Sequence, residues 1–427
     1  MCPSLLNSSH VQHCPLMEKM INDSLNNNTH VNLVAVSILG VVSGLGILEN
    51  AIILWVLGYR LRRKTVAAVW VINLALSDFL VTLTLPLFTH YLAVGHSWEM
   101  GQPLCSFQAS MFFLNMFISA FLLAAISLDR CLLVAKPVWS QNRRTVTAAW
   151  KVCALGWLWG LVNTIPYFMF REVTVKRDKR KLCYHNFALY SSPQTLVWDC
   201  KVRQATTALS KVFLAFLLPV AIIGVSYMNF GKQLQARRQR RESHQLGVTI
   251  DVKADKFKPC RKLSLASPSP GEEKLSKSFT KMVASVITTF VLCWAPYHSF
   301  CLLEMVAELV PEKSSLVQLV QVGLPMTTIF AFLNPVLNPI IYTFSCPHFC
   351  SRIRQSVGLL FEGLVEEGPL VMSSSRRNKK DPTSPASPTS LSSPTTPVFP
   401  RVHRLSQGTL DVISFTKCPT EDLEQIM

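Results

Sequence analysis

Charge is scarce in this chain. Of its 427 residues, 16% are Asp, Glu, Lys or Arg, where a soluble globular protein carries about 25%. That deficit excludes an ordinary water-soluble enzyme, and an apolar share of 49% excludes global disorder. Metal-binding cysteine patterns are missing as well. No two of the thirteen cysteines have CxxC spacing, and no Cys/His cluster has the form of a zinc site. The first residues lack the basic stretch and apolar core of a cleavable signal peptide, so the first apolar segment is expected to act as its own insertion signal. No repeat relates the two halves, which argues against a transporter built from duplicated bundles. The net charge is +17, but aromatics are absent from the basic blocks, where bases would stack. The Lys and Arg residues instead flank apolar segments, the place where side chains meet lipid head groups, so membrane lipids and not nucleic acid are the expected partners.

What is present are seven apolar segments, at 32–58, 66–93, 106–135, 151–170, 205–229, 279–306 and 316–345. Each reaches the roughly twenty residues that a helix needs to cross the hydrocarbon core. In lipid such segments satisfy their own backbone groups only as helices. The expectation is an all-α membrane protein, a seven-transmembrane helix bundle over 32–345 in the plasma membrane. The polar tail 1–31 holds three N-x-S/T sequons, at Asn7, Asn22 and Asn27, which mark a glycosylated outer segment. Basic residues lie on the opposite side: Arg60, Arg62, Arg63 and Lys64; Lys136, Arg143, Arg144 and Lys151; Arg237, Arg238, Arg240 and Arg241 in the long loop 230–278; Arg352 and Arg354. The positive-inside rule then puts the N-terminus outside and the C-terminus in the cytosol. Segment 171–203 breaks that pattern, with eight basic and three acidic residues on the outer side. It reads either as a solvated loop or as an electropositive funnel for an anion.

Beyond the last segment, Phe349, Ile353, Leu360, Phe361 and Leu364 interleave with Arg352 and Arg354, the pattern of a short amphipathic eighth helix lying on the membrane at 346–365. Cys350 there is a candidate for palmitoylation or a plain thiol. The remainder, 366–427, is Ser/Thr/Pro rich and is expected to be a disordered cytoplasmic tail.

Several polar residues fall inside the apolar segments. Asp78 is deep in the second, and a lone carboxylate in lipid costs about 3 kcal/mol or more unless it faces the bundle interior. Asn50, Asn115, Ser119, Asn334 and Asn338 on other segments are its possible companions, either as a structural polar cluster or as the oxygens of a sodium site. Asp129-Arg130-Cys131 ends the third segment. Cys293-Trp294-Ala295-Pro296 interrupts the sixth, where Pro296 removes a backbone hydrogen bond and kinks the helix. Asn338-Pro339-Ile340-Ile341-Tyr342 ends the seventh. Cys105 and Cys183 both lie on the outer side, where disulfides persist. Arg171 closes the fourth segment and Lys211 sits six residues into the fifth. Lys211 either pairs internally with Glu304 or, together with Arg171, awaits an external anion.

On these spans and sides, the motifs resemble those of class A (rhodopsin-like) G-protein-coupled receptors, over about 32–365. The family's Asp-Arg-Tyr reads Asp-Arg-Cys here, as in its chemoattractant branch. Leu92–Glu99, Phe112–Phe117, Ala125–Leu132, Asn163–Phe168 and Cys293–His298 are similar to the prostaglandin D2-responsive subfamily of that branch. The resemblance implies that Cys14, in His13-Cys14-Pro15-Leu16, pairs with Cys200. It implies that a lipid carboxylate is held by Arg171, Lys211, Tyr297 and a loop tyrosine that is His185 here, with Gln108 replacing a third-span histidine. Phe88, Tyr91, Phe112, Tyr184, Leu324 and Phe332 match apolar wall positions. Tyr227 and Tyr342 would turn inward as the sixth helix swings about Pro296, with Trp294, Pro339, Asp129 and Arg130 as further switch positions. The implied partners are an acidic lipid agonist, a heterotrimeric G protein of the inhibitory class, receptor kinases and arrestin. Ser264, Ser384, Ser387, Ser393 and Thr396 are the phosphorylation candidates. No catalytic role and no cofactor other than sodium is expected. A peptide chemoattractant receptor, of the formyl-peptide or anaphylatoxin kind, is the rival reading on the same fold, and a transporter is the rival from another class.

Overall fold

The computed structural model describes residues 12–22, 29–61, 63–251, 270–310 and 314–345. Asn7, Asn27, Ser264, the tail phosphorylation candidates, Cys260, Cys346, Cys350, Cys418 and the proposed eighth helix lie outside the described residues, as does the side chain of Tyr342.

Seven helices are long and apolar enough to cross a membrane: Leu33–Arg60, Val66–Ala93, Gln102–Leu133, Val146–Met169, Leu196–Gln233, Ala284–Leu309 and Ser315–Ile341. Three begin earlier than their apolar residues alone suggest. The third starts at Gln102 instead of 106, after Gly101 turns the chain at φ 83° and with a proline in its first turn. The fourth starts at Val146 instead of 151 because Thr145 caps it, its hydroxyl accepting from the Ala148 amide at 3.1 Å. The fifth starts at Leu196, nine residues before 205, in a polar turn that contains Asp199, Lys201 and Arg203. Hydropathy detects only the part of a helix that lies in hydrocarbon, so capped polar ends escape it. Pro219 cannot donate to the carbonyl of residue 215, and the helix passes through a wide π turn at Phe213–Leu217 just before it.

Two elements were not expected. Segment 171–203 is no loose loop. Strand β1 (Arg171–Val175) pairs antiparallel with β2 (Lys181–His185), placing Arg171 opposite His185. In the polar tail, residues Pro15–Asn22 form a helix, α1, that buries Leu16, Met17 and Met20. Asn22, the one described sequon asparagine, ends that helix and is exposed. Two disulfides tie these pieces down: Cys14–Cys200 joins the tail to the fifth span, and Cys105–Cys183 joins the third span to β2. Among the described residues Cys131, Cys153, Cys293 and Cys301 are free. Face by face, α1 packs Leu16 and Met20 on Ala307, Val317 and Val320 of the sixth and seventh spans, and Met17 on Phe187 and Ala188.

The third span is the axis of the core, with Phe112, Phe113, Met116, Phe117, Ile118 and Leu122 all buried. Small residues let neighbouring spans approach it and each other closely. A Cβ at Gly156 would stand 2.5 Å from the Phe121 ring, and one at Gly323 would stand 1.8 Å from Phe300.

Candidate ligand-binding site

Beneath α1 and the hairpin lies a cavity of about 180 Å³. Its depth comes from the third, fifth and sixth spans, and its roof from β2. Eleven of the twelve residues expected from the sequence line it: Phe88, Tyr91, Gln108, Phe112, Arg171, Tyr184, His185, Lys211, Tyr297, Glu304 and Leu324. Phe332 is one layer behind, its ring 5.6 Å from Phe88 and 5.1 Å from Phe112. The sequence reading missed Met20 of α1, Phe113, His96 and Trp98, together with the specific use of Lys176 and Arg180 from the hairpin. Met20 had a legible signal, since Leu16, Met17 and Met20 recur at helical spacing behind a cysteine and a proline.

The cations divide into two levels. At the upper level the Arg171 guanidinium donates to His185 Nε2 at 3.2 Å and approaches the Cys183 sulfur at 3.3 Å. A guanidinium is always a donor, so His185 accepts at Nε2 and carries its proton on Nδ1. Burial, with Arg171 and Lys211 nearby, holds the His185 imidazole well below its usual range, so the ring is neutral. Burial also lowers His96, with help from Arg180 and Lys176. Deeper down, Lys211 is 3% exposed. Its ammonium sits over three rings, at 5.5 Å from Phe113, 5.6 Å from Tyr167 and 5.9 Å from Tyr297, and bonds the Cys301 thiol. Among the described residues no carboxylate lies within ion-pair distance of it. Glu304, its candidate internal partner, instead accepts a hydrogen bond from the Tyr184 hydroxyl. The site can therefore take an anion at the two cations and an apolar body between Phe88, Phe112 and Leu324.

Under the cavity, Trp294 is buried with its ring 5.6 Å from Phe112 and 6.0 Å from Tyr297, two residues before Pro296 in the same helix. One level further on, the polar side chains meet. Asn115 donates to Asp78 at 2.9 Å and to Ser77 and Ser119 at 3.0 and 3.3 Å, while Asn338 donates to the other Asp78 oxygen at 3.0 Å and to Asn334 at 3.4 Å. Asn50 bonds the carbonyls of Gly46 and Pro335. The side-chain carbonyls of Asn50 and Asn338 have no partner among the described residues. A buried carboxylate with serine hydroxyls and two unspent amide oxygens in the same cluster supplies oxygens of the kind a small hard cation takes.

At the far end Asp129 is held by two arginines. Arg144 grips it with two bonds, at 3.0 and 3.2 Å, and Arg130 approaches at 3.5 Å. Arg144 stands fifteen residues downstream, beyond the short helix Pro137–Arg143, and no spacing rule in the sequence marks it as a partner. Tyr227 of the fifth span lies within electrostatic reach of Arg130.

Comparison with known proteins shows the family. Residues 49–342 match the family of 7 transmembrane receptors (rhodopsin family). Prostaglandin D2 receptor 2 of Rattus norvegicus is 40% identical over 371 residues, 86% of this chain and 83% of that receptor. Its counterpart from Mus musculus is 41% identical over the same length. The C3a anaphylatoxin chemotactic receptor of Oncorhynchus mykiss is 30% identical over 354 residues, 82% of this chain and 85% of that one. That is a family of ligand-operated, G-protein-coupled receptors and not of enzymes. The chain is a multi-pass plasma-membrane protein that belongs to the rhodopsin family of seven-transmembrane receptors.

Proposed function

We propose that this receptor answers an anionic lipid mediator of the prostaglandin D2 class and signals through an inhibitory G protein, with the N-terminus and hairpin outside the cell and the C-terminus in the cytosol. The observation that carries the reading is Lys211: a buried ammonium at the end of an aromatic-walled cavity with no carboxylate in ion-pair reach among the described residues. A buried charge without a counter-ion is costly. A lipid carboxylate supplies that counter-ion, with Arg171 and the Tyr297 hydroxyl as further donors and Glu304 left to Tyr184. The lipid's hydrocarbon then lies along Phe88 and Phe112.

Occupancy presses on Phe112 and Tyr297, both in ring contact with Trp294. Pro296 lets the sixth helix bend there. A bend carries the helix's other end away from the third span, where Arg130 leaves Asp129 and meets the G protein. Sodium held by Asp78, Ser119 and the surrounding asparagines favours the resting state, because the inward bend of the seventh span at Pro339 closes its space. The ligand thus selects between two packings of one bundle. The test is binding of prostaglandin D2 and of its methyl ester, with inhibition of cyclic AMP as the readout. The acid should bind and signal, and the ester should be weak. Equal affinity of acid and ester, or displacement by chemotactic peptides alone, would move the reading to a peptide receptor.

A further inference from the structure

Helix α1 closes the cavity through Met20 and is held by ties of different chemistry. One is covalent, Cys14–Cys200, at its start. Others are neutral hydrogen bonds: Asn186 donates to the Gln12 carbonyl at 3.2 Å, and the Arg177 amide donates to the Ile21 carbonyl at 3.0 Å. The remaining tie is a carboxylate. Glu308 of the sixth span, 2% exposed, accepts from the Leu16 amide at 3.1 Å. Leu16 stands in the first turn of α1, where amide N–H groups lack helical partners and the positive end of the helix dipole favours a negative charge. The second Glu308 oxygen has no hydrogen-bond partner among the described residues. One turn away on the same face is Glu304, also 2% exposed.

We infer that Glu308 is a proton-sensitive latch: ionised, it caps α1 and holds the cavity roof shut; protonated, it releases the first turn of α1 and loosens the roof. The charge does the holding, because a carboxylate at a helix N-terminus gains from the dipole and a carboxylic acid does not. Two charged groups stand near it. Glu304 repels the charge, and Lys201 of the fifth span is the cation within its electrostatic reach. The hairpin contributes Tyr184, whose hydroxyl is spent on Glu304, and the seventh span contributes the apolar Val317 and Val320. From the tail itself, His13 lies beside Asn186.

The test uses the ligand-free full-length receptor in nanodiscs, so it stands apart from the identity of the agonist. Amide hydrogen exchange of residues 15–22 is followed at about pH 7.5 and about pH 5, corrected for the intrinsic pH dependence of exchange. Losing a charged cap is expected to raise exchange of this segment roughly five- to thirtyfold in acid. Glu308→Gln should exchange at the fast rate at both pH values, and Glu308→Asp, too short to reach Leu16, should do the same. His13→Gln should keep the wild-type acid response. Protection of α1 that ignores pH in the wild type, an acid response that survives in Glu308→Gln, or one that disappears in His13→Gln would each overturn the latch.

Discussion

Replacing Lys211 by Met separates the two readings of the buried cation, because they predict opposite signs for stability. In the ligand-free receptor the ammonium is desolvated, faces three rings at 5.5–5.9 Å and has no carboxylate in ion-pair reach among the described residues. The rings return about 0.5–2 kcal/mol, to which the Cys301 thiol and the more distant Glu304 add, against an effective desolvation penalty of several kcal/mol per ion. Methionine has a similar length and no charge. The empty receptor should therefore melt at the same temperature or higher, with a gain of up to about 4 kcal/mol by analogy with buried ions replaced by apolar residues. Binding should move the other way. Truncating one partner of a buried charge pair costs about 2–5 kcal/mol, which is roughly thirtyfold to a few thousandfold in affinity. The assay is a pair of measurements on one purified variant: thermal unfolding without ligand, and competition binding with prostaglandin D2 and its methyl ester. The ester, already uncharged, should lose little. A variant that melts several degrees lower without ligand, or that binds acid and ester as the wild type does, would refute the argument and restore Glu304 as the internal counter-ion.

Three further outcomes are expected. Arg144→Ala removes a two-bond grip on Asp129 worth about 1.5–3 kcal/mol per charged hydrogen bond and leaves that carboxylate to Arg130, so ligand-independent nucleotide exchange on the G protein should fall severalfold, while Arg130→Ala should abolish exchange and leave ligand binding intact. His185 has its folded-state pKa depressed by burial and by Arg171; below about pH 6.5 the unfolded chain takes up a proton that the folded one refuses. Stability is then lost as pH falls, and His185→Tyr should lose less between about pH 7 and about pH 5.5 in thermal unfolding, while preserving or improving the prostaglandin D2 response. Asp78→Asn removes the only carboxylate of the polar cluster, so sodium chloride should no longer lower agonist affinity relative to choline chloride; an unchanged sodium effect would remove that cluster from consideration.

How much of this was legible in the chain depends on the range of the interaction. Seven spans follow from local composition, since each helix meets its own hydrogen-bonding needs in lipid, whatever its neighbours do. The polar residues that had to face inward were legible for the same reason: Asp78, Asn115, Lys211 and Asn338 are too costly against lipid. The helix ends at Gln102, Val146 and Leu196 were not, because a cap or a turn in water leaves no mark on hydropathy. Nor did composition distinguish the hairpin from a loop, since β1 and β2 are short and partly exposed, and their register is fixed by pairing Arg171 with His185 and by the Cys105–Cys183 bridge. The choice of partners was decided by tertiary structure alone. Glu304 could have met Lys211 or Tyr184, and Asp129 could have kept to Arg130 or added Arg144; each pairing depends on a few ångströms of approach between segments far apart in the chain. A sequence states which charges must be buried. Only the packed bundle determines which of them stand beyond ion-pair distance of an opposite charge among the described residues, and Lys211 is one, because the Glu304 carboxylate is bonded to a tyrosine on β2.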